Sequence, residues 1–112
     1  GGDSRDALYG SLGDDVLFGD AGADRLSGDE GADTLTGGAG ADLFVFKAGD
    51  GADIITDFED GVDRIRIATG AASMDDLTIT DLGADTRVTF ADVTFVLLGV
   101  DHTLLDATDF VF

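Results

Sequence analysis

The sequence predicts an all-β fold: a parallel β-solenoid of very short strands, finished by a C-terminal β-hairpin or meander. Three observations lead there. The first 45 residues repeat with a nine-residue period, each unit placing glycines and one aspartate ahead of a large apolar residue. The chain has 17 Gly, no Pro and 44% hydrophobic residues, a turn-rich composition that can still form a core. Residues 77 to 98 alternate apolar and polar side chains, as half-buried strands do. A length of 112 residues suits one small domain.

The five units read GGDSRDALY, GSLGDDVLF, GDAGADRLS, GDEGADTLT and GGAGADLFV. Their first position is always Gly, the fourth is Gly except at Ser4, the sixth is Asp6, Asp15, Asp24, Asp33 or Asp42, and the eighth is Leu8, Leu17, Leu26, Leu35 or Phe44. Three residues around the eighth position form a strand whose middle side chain points inward while its neighbours point out. The six residues before it must turn the chain sharply, which calls for left-handed or strained backbone at the glycines of positions one and four. Such loops leave carbonyls converging, with one carboxylate each. Stacked about 4.8 Å apart like neighbouring strands, these groups form a cluster of hard oxygen ligands that repel one another when no cation is present.

Charge narrows the function. The net charge is -18, from 24 acidic residues against six basic ones, and Glu30 and Glu59 are the only glutamates. Asp serves turns and hard-cation sites, whereas an acidic helical surface would use Glu as well. Arg5, Arg25, Lys47, Arg64, Arg66 and Arg87 are scattered, so no nucleic acid is expected as a partner. Without Cys there is neither a disulfide nor a thiolate metal site, and no apolar run reaches the ~18 residues of a membrane span.

The units resemble the nonapeptide GGxGxDxUx of the RTX (repeats-in-toxin, hemolysin-type) calcium-binding family. The resemblance implies a right-handed parallel β-roll with two nonapeptides per turn, in which loops n and n+2 stack and hold Ca²⁺ between them. Asp6 then pairs with Asp24, Asp15 with Asp33, and Asp24 with Asp42. The remaining oxygens come from carbonyls of Gly22, Gly31, Gly40, Asp20, Asp29 and Gly38, with Leu8, Leu26 and Phe44 facing Leu17 and Leu35. Ca²⁺ fits a set of six to eight oxygens, whereas Zn²⁺ would want His or Cys and Mg²⁺ an octahedron that retains water. AGDGADIIT keeps Gly51, Asp53 and Ile55 in place, and DFEDGVDRIRI keeps Gly61, Asp63 and Ile65. Read as degenerate sixth and seventh coils, they add pairs Asp33/Asp53 and Asp42/Asp63, near Asp57 or Asp60, for about three to five ions in all. The competing reading of these aspartates is that they only make Asx-turns.

Residues 1–67 are therefore expected to be the ion-binding roll, regular over 1–45 and degenerate over 46–67. Residues 68–112 are expected to be its cap, because a solenoid end exposes its core. Phe58, Val62, Ile65, Ile67 and the meander around the Gly83-Ala84-Asp85 turn would cover the last coil. The ending Asp109-Phe110-Val111-Phe112 resembles the C-termini of serralysin-like proteases and lipases exported by type I machinery, and equally suits a last cap strand. His102 is the only His and no G-x-S-x-G occurs, so the segment is read as non-catalytic.

Beginning at Gly1, the chain reads as the C-terminal part of a larger secreted bacterial protein, with a linked upstream domain and the type I secretion machinery as partners. The alternative function is a polyuronate (alginate)-binding repeat module like those of mannuronan epimerases. That would need an acidic polysaccharide as partner and a basic track drawn from Lys47, Arg64, Arg66 and Arg87.

Overall fold

The computed structural model describes residues 5–59, 62–71, 73–100, 103, 105 and 107–112. Every repeat becomes a strand centred on its eighth residue: β1 (Ala7–Tyr9), β2 (Val16–Phe18), β3 (Arg25–Ser27), β4 (Thr34–Thr36) and β5 (Leu43–Phe46). The degenerate units supply β6 (Ala52–Ile55) and β7 (Arg64–Ile67). Successive strands fall alternately into two sheets. One runs β1-β3-β5-β7 and the other β2-β4-β6, all parallel, so one turn of the roll takes two nonapeptides.

Register follows the repeat. Leu8 lies opposite Leu26, Leu26 opposite Phe44 and Phe44 opposite Ile65. In the facing sheet Leu17 meets Leu35, and Leu35 meets Ile55. This is the parallel β-roll the sequence predicts, with one inward side chain per strand at its N-terminal end. That end is thin: Leu8 and Leu17 are only partly buried, whereas Leu26, Leu35, Phe44, Ile55 and Ile65 are fully enclosed. Burying each such side chain contributes roughly 1.5–3 kcal/mol.

The C-terminal part thickens the core. β8 (Thr78–Asp81), β9 (Thr86–Phe90) and β10 (Val93–Leu97) form an antiparallel meander. Gly83 takes a left-handed φ of 92° in the β8–β9 turn, where Leu82 N–H also donates to the Asp85 carbonyl at 3.0 Å. The meander continues the roll's own sheets. β10 joins β6 in parallel, and β11 (Phe110–Val111) joins β7, with Phe110 opposite Ile65. The Phe46 and Phe95 rings stack with centroids 4.2 Å apart, and Phe90 meets Phe95 edge-on at 6.4 Å. Of the residues expected to cover the last coil, Phe58, Ile65 and Ile67 are buried, but Val62 is 44% exposed. It precedes β7 in a turn, where strand alternation does not set its direction.

Candidate metal centre

Left-handed backbone occurs at positions two and four of the loops, not one and four as the sequence suggested. Position two holds Ser11, Asp20 and Asp29 at φ 68°, 66° and 62°, and position four holds Gly22 and Gly31 at 103° and 118°. Position one is Gly for another reason, close approach. A Cβ on Gly19 would lie 2.5 Å from the Gly37 carbonyl oxygen and 2.6 Å from Asp24 Oδ2. At position four a Cβ on Gly40 would run into the Gly22 carbonyl, and one on Gly51 would come within 2.9 Å of the Gly31 carbonyl. The Asp20 carbonyl likewise abuts Gly38. The candidate carbonyls of Asp20, Gly22 and Gly31 thus lie at the contacts between stacked loops.

All five expected aspartate pairs come together. In each pair the later residue's Oδ1 accepts the backbone N–H of the earlier one. The distances are 2.8 Å for Asp6/Asp24, 2.8 Å for Asp15/Asp33, 2.9 Å for Asp24/Asp42, 2.9 Å for Asp33/Asp53 and 2.8 Å for Asp42/Asp63. The other oxygen is the notable one. Oδ2 of Asp6, Asp15, Asp24, Asp33, Asp42 and Asp53 is buried and has no hydrogen-bond partner. A buried, unsatisfied acceptor costs about 1–3 kcal/mol, more when charged. Asp63 differs, because its Oδ2 accepts the Glu59 N–H at 2.9 Å. Asx-turn hydrogen bonding alone therefore leaves a row of buried anionic oxygens unsatisfied.

This donor set suits a hard cation. The orphaned oxygens are anionic, and the carbonyls beside them are neutral oxygen ligands. Among the described residues no three acidic or His side chains converge as a metal-binding group. A site here would have to combine carboxylates of paired loops with loop carbonyls. The tolerance of Ca²⁺ for mixed oxygen ligands and irregular geometry matches that arrangement.

Electrostatics agree. Burial, followed by the charge of neighbouring aspartates, raises the Asp53 carboxyl from 3.8 to about 7 and that of Asp42 to about 6. Burial is also the leading cause that raises Asp33, Asp50 and Asp63. These groups bind protons more tightly folded than unfolded, so stability without metal falls as pH rises from about 4 through about 7. Chain held in chelator is accordingly expected to gain β signal in far-UV circular dichroism when taken from pH 7.5 to pH 5. Loss of signal on acidification would contradict the crowded-carboxylate geometry.

Two carboxylates beyond the expected set lie beside the stacked pairs without being members of one. Asp57, expected only to lie near the seventh coil, accepts the N–H groups of Gly37 and Gly38 at 2.9 and 2.7 Å. Asp50 was not singled out by the repeat. It is 1% exposed, and its Oδ1 lacks a hydrogen-bond partner. The available signal was an Asp at position three directly before Gly51, a position that varies in the regular units. Asp60, Gly61 and His102 lie outside the described residues. The proposed basic track does not form: Arg64 and Arg66 lie on β7 of one sheet, Arg87 on β9 of the other, and Lys47 is engaged by Asp29.

The profile of the RTX calcium-binding nonapeptide repeat (4 copies) matches residues 1–35, 9–44 and 18–55. Among solved structures, the extracellular lipase LipA from Serratia marcescens is similar over 100% of this chain, at 27% identity and a TM-score of 0.66. The chain spans 20% of that protein's length. Two subunits of the Azotobacter vinelandii mannuronan C5-epimerase, AlgE6R3 and AlgE6R2, each share 27% identity, with TM-scores of 0.41 and 0.42. The alignments cover 100% and 98% of this chain and 80% and 89% of theirs. No curated protein sequence matches the chain.

Proposed function

We propose, on the premise that residues 1–55 match the RTX calcium-binding nonapeptide repeat, that the chain is an RTX domain that folds on taking up calcium and so serves the export and extracellular folding of a larger secreted bacterial protein. The observation that carries this reading is the row of buried Oδ2 atoms without partners on Asp6, Asp15, Asp24, Asp33, Asp42 and Asp53. Bound calcium supplies two positive charges and places for six to eight oxygens. The carboxylates and the carbonyls of Asp20, Gly22, Asp29, Gly31, Gly38, Gly40 and Gly51 supply the ligands. Three to five ions result, and the Asp42/Asp63 pair is the weakest because Asp63 Oδ2 already has a donor.

The domain division goes with this. Residues 1–67 hold the ions, and residues 68–112 close the core. The test is equilibrium dialysis: chain at neutral pH is expected to take up several calcium ions and to leave magnesium largely unbound. Uptake of neither would remove the reading.

Export enters through the tail. Low cytosolic calcium keeps the segment unfolded and transportable, and extracellular calcium, at ~10⁻⁴–10⁻³ M for such modules, folds it. The tail is also a strand, with Asp109 and Phe110 buried against the roll, so deleting it would damage folding as well as any signal. Phe112, 41% exposed, separates the two roles. Phe112→Asp is expected to lower export several-fold while leaving calcium-driven folding of purified protein unchanged. Unchanged export would remove the signal role.

The upstream domain of the parent and the type I secretion machinery are the partners in this scheme. The parent, not this segment, supplies any catalysis. The polyuronate-binding reading is not favoured, since the cations it requires fall on different faces.

A further inference from the structure

The loops after β1, β3 and β5 stack along one side of the roll, and one residue links all of them. The Asp29 carboxylate, in a left-handed loop position, accepts Ser11 N–H at 3.3 Å, Ser27 Oγ at 2.8 Å and Lys47 Nζ at 2.9 Å. The same ammonium lies 3.6 Å from Asp50 Oδ1. That oxygen belongs to a side chain only 1% exposed and has no hydrogen-bond partner, while Asp50 Oδ2 accepts the Lys47 N–H at 3.0 Å. On the opposite side Gly38 stands at the position of Asp29, and the Asp57 carboxylate accepts the backbone N–H groups of Gly37 and Gly38.

We propose that the Lys47 ammonium stands where a divalent cation would otherwise sit between Asp29 and Asp50, so that this rim of the roll is held by the chain's own charge and becomes an additional calcium site only when that charge is removed. The proposal rests on the calcium reading above. An ammonium offers one charge and three donors, enough to bridge Asp29 to Asp50 electrostatically. A hard divalent ion would accept both carboxylate oxygens and complete its shell with water. Lys47 is thereby a specificity-determining residue that sets how many ions the roll takes.

Calcium bound per folded chain, counted by equilibrium dialysis at saturation, tests this in wild type, Lys47→Met, Asp50→Asn and the double variant. Lys47→Met is expected to hold one ion more than wild type, and Asp50→Asn the same number as wild type. The double variant is expected to lose the gain. An unchanged count in Lys47→Met overturns the proposal, as does loss of an ion in Asp50→Asn, which would make Asp50 a ligand of an ordinary site. Should Lys47→Met not fold, Asp50→Asn alone decides. Wild type that takes up no calcium would sink the calcium reading and this proposal with it, whereas wild type that binds it without a gain in Lys47→Met sinks this proposal alone.

Discussion

Stripping calcium with chelator is expected to abolish most of the β signal of the chain at neutral pH, and restoring calcium, but not magnesium, to bring it back cooperatively. Ordering the backbone costs ~1–2 kcal/mol per residue. Over β1 to β4 each strand contributes one inward Leu, and Leu8 and Leu17 are only partly buried. Roughly 1.5–3 kcal/mol per buried Leu cannot offset nine ordered residues. The carboxylate stack adds repulsion and unsatisfied oxygens. Ion binding is then folding free energy, because the ligands converge only in the coiled chain.

The structure adds a gradient to this expectation. Phe44, Phe46, Phe90, Phe95 and Leu97 form a dense C-terminal core. Amide hydrogen exchange on lowering calcium should therefore lose protection first in β1 to β4 and last in β5, β9 and β10. Uniform loss would show that the roll melts as one unit, and an unchanged signal in chelator would refute the calcium requirement itself.

Asp24→Ala is expected to raise the calcium midpoint for folding about 10-fold or more, and Asp6→Ala distinctly less. Asp24 sits in two stacked pairs: its Oδ1 accepts the Asp6 N–H, and its own N–H donates to Asp42 Oδ1. The alanine removes one buried acceptor and one anionic ligand. Orphaning the Asp6 N–H alone costs about 1–3 kcal/mol, and 1.4 kcal/mol is a factor of ten in an equilibrium constant. Asp6 lies at the open end of the stack and is less buried. Asp24→Asn divides the effect, since its amide oxygen still accepts the N–H while the charge is lost. Its midpoint should move nearly as far as that of the alanine if the anionic oxygen is the ligand. Equal midpoints for Asp6→Ala and Asp24→Ala would contradict the pairing.

The repeat alone determined the strands, their inward residues and the loop carboxylates, because a nine-residue spacing forces the same backbone path each time. With the two-unit turn implied by the family resemblance, it also determined which aspartates meet, down to the irregular Asp33/Asp53 and Asp42/Asp63 pairs. Only the tertiary structure decided how each carboxylate divides its oxygens, one on a neighbouring N–H and one left bare, since that depends on the distance between loops 18 or more residues apart. It also moved the left-handed residues to position two, turned Val62 outward and drew β10 and β11 into the roll's sheets. Joining Lys47 to Asp29 was likewise a matter of coil stacking. Local periodicity carries no information about such partners, because they are chosen by hydrogen-bond and packing geometry across the coil rather than along the chain.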